Sequence, residues 1–123
     1  MTFKTVNELS REIYDPAFFE GLSDIDDWDE ALDKRDQAEF DDAWTNSHSA
    51  VSSKQYIDPA DEAAVTNLRE SVFKAVYRLT ENSEVAGYVS DDFGLIGEAV
   101  AKGCFTGWIE WLYEVYKSRN FPC

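Results

Sequence analysis

Between residues 20 and 42 the chain carries 11 of its 25 acidic side chains: Glu20, Asp24, Asp26, Asp27, Asp29, Glu30, Asp33, Asp36, Glu39, Asp41 and Asp42. Only Lys34 and Arg35 oppose them. Carboxylates at this density can hold a divalent cation, work as acid–base pairs, or meet a basic surface. The run Asp24-Ile25-Asp26-Asp27-Trp28-Asp29 has the outward look of a calcium loop. Such a loop needs glycine at its sixth position and glutamate at its twelfth; counted from Asp24 these are Asp29 and Arg35, so the pattern fails and only adventitious divalent binding is left.

Acid–base or nucleophilic catalysis is no better supplied. His48 is the only histidine and stands among serines, without a nucleophile signature around it. No glycine-rich phosphate loop exists; Gly94, Gly97 and Gly103 fall in or at the end of a helical pattern. Cys104 and Cys123 have neither metal-ligand spacing nor the number for a disulfide framework. Cys104 reads as a small core hydrophobe and Cys123 as an exposed one. The expectation is therefore no catalytic residue, no metal ligand and no cofactor.

That leaves the basic surface. A formal net charge of -14 repels nucleic-acid phosphate and anionic lipid, and speeds association with basic surfaces. The bland alternatives are solubility and a solvated helix face. Density and one-sidedness favour a protein-binding face made of Asp24, Asp26, Asp27, Asp29, Glu30, Asp33, Asp36, Glu39, Asp41 and Asp42. Trp44 joins this set as an aromatic anchor or, equally, as a core residue. Trp28 reads as core.

The elements that must position these residues are helical. Thr5-Val6-Asn7-Glu8 is a capping box, followed by Val6, Leu9 and Ile13 at helical spacing. Asp15-Pro16 ends that helix and starts a turn carrying Phe18, Phe19 and Leu22, loosened by Gly21. Ser23 then caps a helix through Ile25, Trp28, Leu32, Phe40, Ala43 and Trp44, interrupted near Asp36. In this reading Asp24, Asp26 and Asp27 lie at the favourable end of the helix dipole. Asp41 and Asp42 lie at the unfavourable end, a cost that invites a functional explanation.

Residues 45–57, rich in Ser and Thr, read as a loop. Asp58-Pro59-Ala60-Asp61 starts the clearest helix, with Val65, Leu68, Val72, Val76 and Leu79 on its inner face, Phe73 and Tyr77 widening it, and Asn82-Ser83 closing it. Residues 84–89 form a turn. Ser90 caps a further helix that places Asp91 and Asp92 on its dipole; with Glu81 and Glu84 they form a second acidic patch. Gly103 suits a left-handed stop. A last helix starts at Thr106 with Trp108, Ile109, Leu112, Val115 and Tyr116 on one face, and Trp111 and Tyr113 on another.

The length fits one domain, residues 1–123. The aromatic content of 15% is enough to anchor a core without disulfides or metals. No repeat or alternating β pattern is visible. The reading is all-α, a compact bundle or array of about five to six helices. Met1 to Leu9 lacks a secretory apolar run and no stretch approaches a membrane span, which places the protein in the cytoplasm.

The segment Tyr88-Val89-Ser90-Asp91-Asp92-Phe93-Gly94-Leu95-Ile96-Gly97-Glu98-Ala99 resembles small bacterial immunity proteins of contact-dependent inhibition and related polymorphic toxin systems. So does Trp111-Leu112-Tyr113-Glu114-Val115-Tyr116-Lys117 with Asn120-Phe121-Pro122-Cys123. The resemblance covers the last third of the chain and transfers no binding residue. It implies a non-enzymatic protein that neutralises a cognate toxin domain by tight binding. Many such toxins are nucleases, an RNase being expected here ahead of a DNase. Their phosphate-holding clefts are basic, so an acidic helix can occlude one. The alternative is an acidic nucleic-acid mimic acting on a DNA- or RNA-binding protein. Neither reading brings nucleic acid or membrane into direct contact with the chain; the oligomeric state stays open, with a monomer expected in the bound form.

Overall fold

In the computed structural model, which describes residues 5–123, one helix is almost wholly interior. Helix α5, Ser83–Ala101, buries 13 of its residues, among them Val85, Val89, Phe93, Ile96 and Val100. Around it lie α1 (Val6–Ile13), a 3-10 helix (Glu20–Asp24), α2 (Trp28–Arg35), α3 (Ala38–Ser52), α4 (Asp61–Thr80) and α6 (Trp108–Lys117). No strand occurs among the described residues, and the fold is all-α with six α-helices. Helix α4 packs most extensively along α5; α1, α3 and α6 also touch α5.

Local chemistry explains most boundaries. The Glu8 N–H donates to Thr5 Oγ1 (3.2 Å), which starts α1. The Ala60 N–H donates to Asp58 Oδ1 (3.0 Å) ahead of α4. Helices α4 and α5 form a tight hairpin: α4 ends with Glu81 in the left-handed region (φ 53°). Asn82 does not close α4 but caps α5, accepting from the N–H groups of Glu84 and Val85, both at 3.1 Å. Gly103 takes the left-handed stop (φ 73°), and α6 begins at Trp108 behind Gly107.

Helix α5 is longer than its sequence suggests. Ser90 is not a cap, and residues 84–89 are no separate turn. Val85, Ala86, Val89 and Phe93 keep one buried stripe running through Ser90-Asp91-Asp92; packing of that stripe outweighs a local capping preference. The Ser90 hydroxyl donates instead to the Arg69 carbonyl of α4 (2.9 Å).

Most of the expected 45–57 loop is also helix, since α3 runs to Ser52. Phe40 and Val51 are buried along it and Trp44 is half-buried, while Thr45, Asn46 and Ser49 face solvent. Polar residues with weak helix propensity are carried by the anchored face.

Val65, Leu68, Val72 and Val76 fill the core as expected. Phe73, Tyr77 and Leu79 do not: they stay exposed, with the Phe73 and Tyr77 rings parallel at 6.3 Å. Tyr113 goes the other way, fully buried beside Phe18, Phe93 and Phe105. Cys104 is half-buried and Cys123 exposed. No described helix is long and apolar enough to cross a membrane. The expectation about Met1 to Leu9 rests in part on residues 1–4, outside the described residues.

Gly21 does not loosen a helix end; it permits a close approach. A Cβ there would lie 2.2 Å from the Arg119 carbonyl oxygen, whereas one at Gly87 meets nothing within 4 Å. Gly21→Ala should cost about 1–3 kcal/mol by forcing backbone apart. Gly87→Ala should stabilise by up to about 1 kcal/mol through helix propensity. Urea denaturation of the two variants checks the contrast; equal effects would refute it.

Candidate partner-binding face

The acidic segment is not one helix but an elbow. The Asp36 N–H donates to the Asp33 carbonyl (3.1 Å) and the Gln37 N–H to the Lys34 carbonyl (3.3 Å), closing α2. Gln37 then extends (ψ 149°) and α3 begins at Ala38. The start of α2 is set by Asp27, not Ser23: its carboxylate accepts from the Glu30 N–H at 3.0 Å. Ser23 sits in the 3-10 helix and donates to the Glu20 carbonyl.

This break reverses one electrostatic expectation. Glu39 and Asp41 lie in the first turn of α3, with Asp42 beside them, where the dipole welcomes anions. Their placement is not a stability cost, and the functional argument built on that cost falls. Asp29 and Glu30 likewise occupy the first turn of α2, with Asp24 and Asp26 preceding it.

All ten carboxylates named from sequence are solvent-exposed on this elbow: Asp24, Asp26, Asp27, Asp29, Glu30, Asp33, Asp36, Glu39, Asp41 and Asp42. Of the two cations, Lys34 is exposed and lies 3.8 Å from Glu30. Exposed pairs of this kind contribute little.

The other cation turns inward. Arg35 is 5% exposed and Asp92 fully buried. The guanidinium donates through both terminal nitrogens to the two Asp92 oxygens, each at 2.7 Å. The Trp44 indole N–H donates to Asp92 Oδ1 (2.9 Å) and the Tyr116 hydroxyl to Oδ2 (2.5 Å). The rings of Phe40, Tyr88 and Phe121 surround the guanidinium at 4.4, 5.3 and 5.2 Å. One carboxylate of α5 thus holds α2, α3 and α6 together.

Trp44 is therefore tied inward by its polar edge, while its ring stacks on His48 (5.1 Å, 11°). Trp28 is half-buried against Phe121 (5.1 Å). The second acidic patch does not form: Asp92 is internal and Asp91 pairs with Arg69 at 2.7 Å. Among the described residues, no three His, Cys, Asp or Glu side chains converge as a metal site.

The Arg35–Asp92 pair is the feature that sequence reading missed. A signal was present. Arg35 continues the Trp28-Leu32 stripe at helical spacing, and Asp92 falls between Val89 and Ile96 on the α5 stripe. A charge at core phase needs a partner, but nothing in the sequence pairs these two across 57 positions.

The surroundings shift ionisation. Burial pulls the Arg35 guanidinium down, but the hydrogen bonds and charge of Asp92 outweigh it and leave the cation more firmly protonated than usual. Burial, then the Asp92 charge, push the Tyr116 hydroxyl well above its ordinary range. Burial and Glu98 push Tyr56 up to about 12.

Two predictions follow from this geometry. Asp92→Asn strands a buried cation and should cost about 3–5 kcal/mol, whereas Arg35→Met with Asp92→Leu removes both charges but leaves the Trp44 N–H and Tyr116 hydroxyl without their acceptor, and should recover only part of that loss. Chemical denaturation of both tests it; a double variant no more stable than the single one would refute it. The second concerns alkali. The unfolded phenol of Tyr116 ionises near pH 10 while the folded one keeps its proton. The unfolded state then binds fewer protons, so stability falls as pH rises above about 10. The fall should be shallower in Tyr116→Phe. Melting temperatures between pH 8 and 12 check this; parallel curves would exclude Tyr116 as a source.

Comparison with known families places residues 8–123 on the model of a family described as immunity protein PIM1. No curated protein matches the chain.

Proposed function

The chain belongs to the immunity protein PIM1 family, and from that premise we propose that it neutralises a basic toxin domain by covering that domain's nucleic-acid-binding cleft with the acidic α2–α3 elbow. An immunity function follows from the family. The nuclease character of the toxin, an RNase ahead of a DNase, and the choice of surface are our reading. So are the action of residues 1–123 as a single domain and a cytoplasmic site of action.

One observation carries the surface. The elbow exposes ten carboxylates, while one of the two cations in that stretch of sequence is withdrawn into the core by Asp92. The external field of the elbow is thus more negative than its sequence count implies. A nuclease cleft is basic because it must hold phosphate, so the same field that attracts substrate attracts this face. Long-range attraction accelerates encounter, which suits an inhibitor that must act before its target does. Inhibition of this kind requires no catalytic group in the chain. A nucleic-acid mimic aimed at some other DNA- or RNA-binding protein would share these electrostatics; the family favours a toxin.

Reversing Asp29, Glu30, Asp33 and Asp36 to Lys should slow association with the toxin domain encoded beside this protein at least tenfold. It should also flatten the dependence of the association rate on salt. Stopped-flow or interferometry over a salt series reads both. Wild-type affinity in a folded variant would remove the elbow from the interface.

A further inference from the structure

A second surface adjoins the elbow and is aromatic. Phe40, at the start of α3, lies under the Arg35 guanidinium. Trp108 packs edge-on against Phe40 at 5.2 Å and 72°. Trp111 lies 5.7 Å from Trp108, tilted by 38°. Phe40 is buried, Trp108 half-buried, and Trp111 43% exposed. The chain of contacts therefore runs from the internal charge pair outward to an indole in solvent, seated on a rigid base. A recess is lined by these three rings together with Lys34, Gln37, Glu39 and Cys123. Lys34 is the recess's one cation, and it is drawn toward Glu30 at 3.8 Å.

We propose that this recess receives an arginine side chain of the toxin domain, stacked on Trp111 and paired with Glu39. The proposal rests on the toxin-binding reading above and names a contact within it. An exposed tryptophan is the strongest aromatic host for a cation. Arginine suits this one because its guanidinium is planar and weakly hydrated, and can stack on a ring while pairing with a carboxylate. The surrounding charge agrees: Glu39 lines the recess, and the exposed acids of the elbow lie in the same stretch of chain. A basic partner drawn to the elbow brings cations to its edge. Tryptophan and arginine are also the side chains on which interface energy concentrates. The stack Arg35–Phe40–Trp108 keeps Trp111 in place before the partner arrives, so little ordering cost falls on binding.

The test has two arms. In the first, N-acetyl-arginine amide is titrated into the isotopically labelled protein, with N-acetyl-lysine amide as the comparison. The arginine amide should move the indole N–H signals of Trp111 and Trp108 saturably in the millimolar range, and those of Trp28 and Trp44 little. Glu39→Gln should weaken the effect several-fold and Trp111→Ala should abolish it. Equal response to the lysine amide, or no localised saturation, overturns the proposal. In the second arm, the folded Trp111→Ala variant should bind the neighbour-encoded toxin domain at least tenfold more weakly. Unchanged affinity overturns the recess while leaving the immunity reading intact. Failure of the wild-type protein to bind that toxin overturns both the toxin reading and the assignment of the arginine to it. A wild-type dimer that dissociates on Trp111→Ala would assign the ledge to a second copy, and would also overturn the proposal.

Discussion

Burying one charge pair organises this molecule. A guanidinium and a carboxylate taken out of water are tolerated only when each is paired and its hydrogen-bonding capacity largely used. Asp92 meets that demand with two bonds from Arg35, one from Trp44 and one from Tyr116, while the buried Nε of Arg35 is left without a hydrogen-bond partner. These donors come from three helices other than its own. The requirement to converge on one carboxylate fixes where α2 ends, how α3 turns away from it, and which face α6 presents. Apolar packing around α5 is the larger stabilising force, yet it is non-directional and would accept several arrangements. The charge pair adds directional contacts that apolar packing lacks.

The same pair connects the interior to the surface. Drawing Arg35 inward leaves the elbow with a nearly unopposed row of carboxylates. Phe40, pinned beneath the guanidinium, supports Trp108 and through it Trp111. A negatively charged face and an aromatic ledge thus share one internal support. On the binding reading proposed above, such a support would present both surfaces without rearrangement and lower the cost of association.

Charge placement on the elbow is also kinder to stability than its density suggests. Breaking one long helix into α2 and α3 creates a second N-terminus, and Glu39 and Asp41 occupy its first turn. Two dipole ends now share a load that a single helix would have concentrated at one end. Repulsion between neighbouring acids persists, worth ~0.2–0.5 kcal/mol per pair at helical spacing. The core under the elbow offsets it.

Helical periodicity in Val65-Leu68-Val72-Val76 and in Ile109-Leu112-Tyr116 determined an all-α fold without help from distant contacts, because the spacing of apolar residues along one face is a local property. The Thr5 cap, the Asp58-Pro59 start and the Gly103 stop were legible for the same reason: each is satisfied within a few residues. The acidity of residues 20–42 and its exposure were equally plain, since charged side chains reach water unless something draws them in. What escaped was non-local. Ser90 and the serines of α3 have turn-forming chemistry that packing overrode. Tyr113 and Phe73 exchanged the expected inner and outer positions. Arg35 and Asp92 read as a surface cation and a dipole partner because nothing local marks a charge for burial. Only the tertiary structure, by placing the end of α2 against the middle of α5, decided that these two charges meet. A buried ion pair exists only where two distant segments close on each other, and no spacing along the chain encodes that approach.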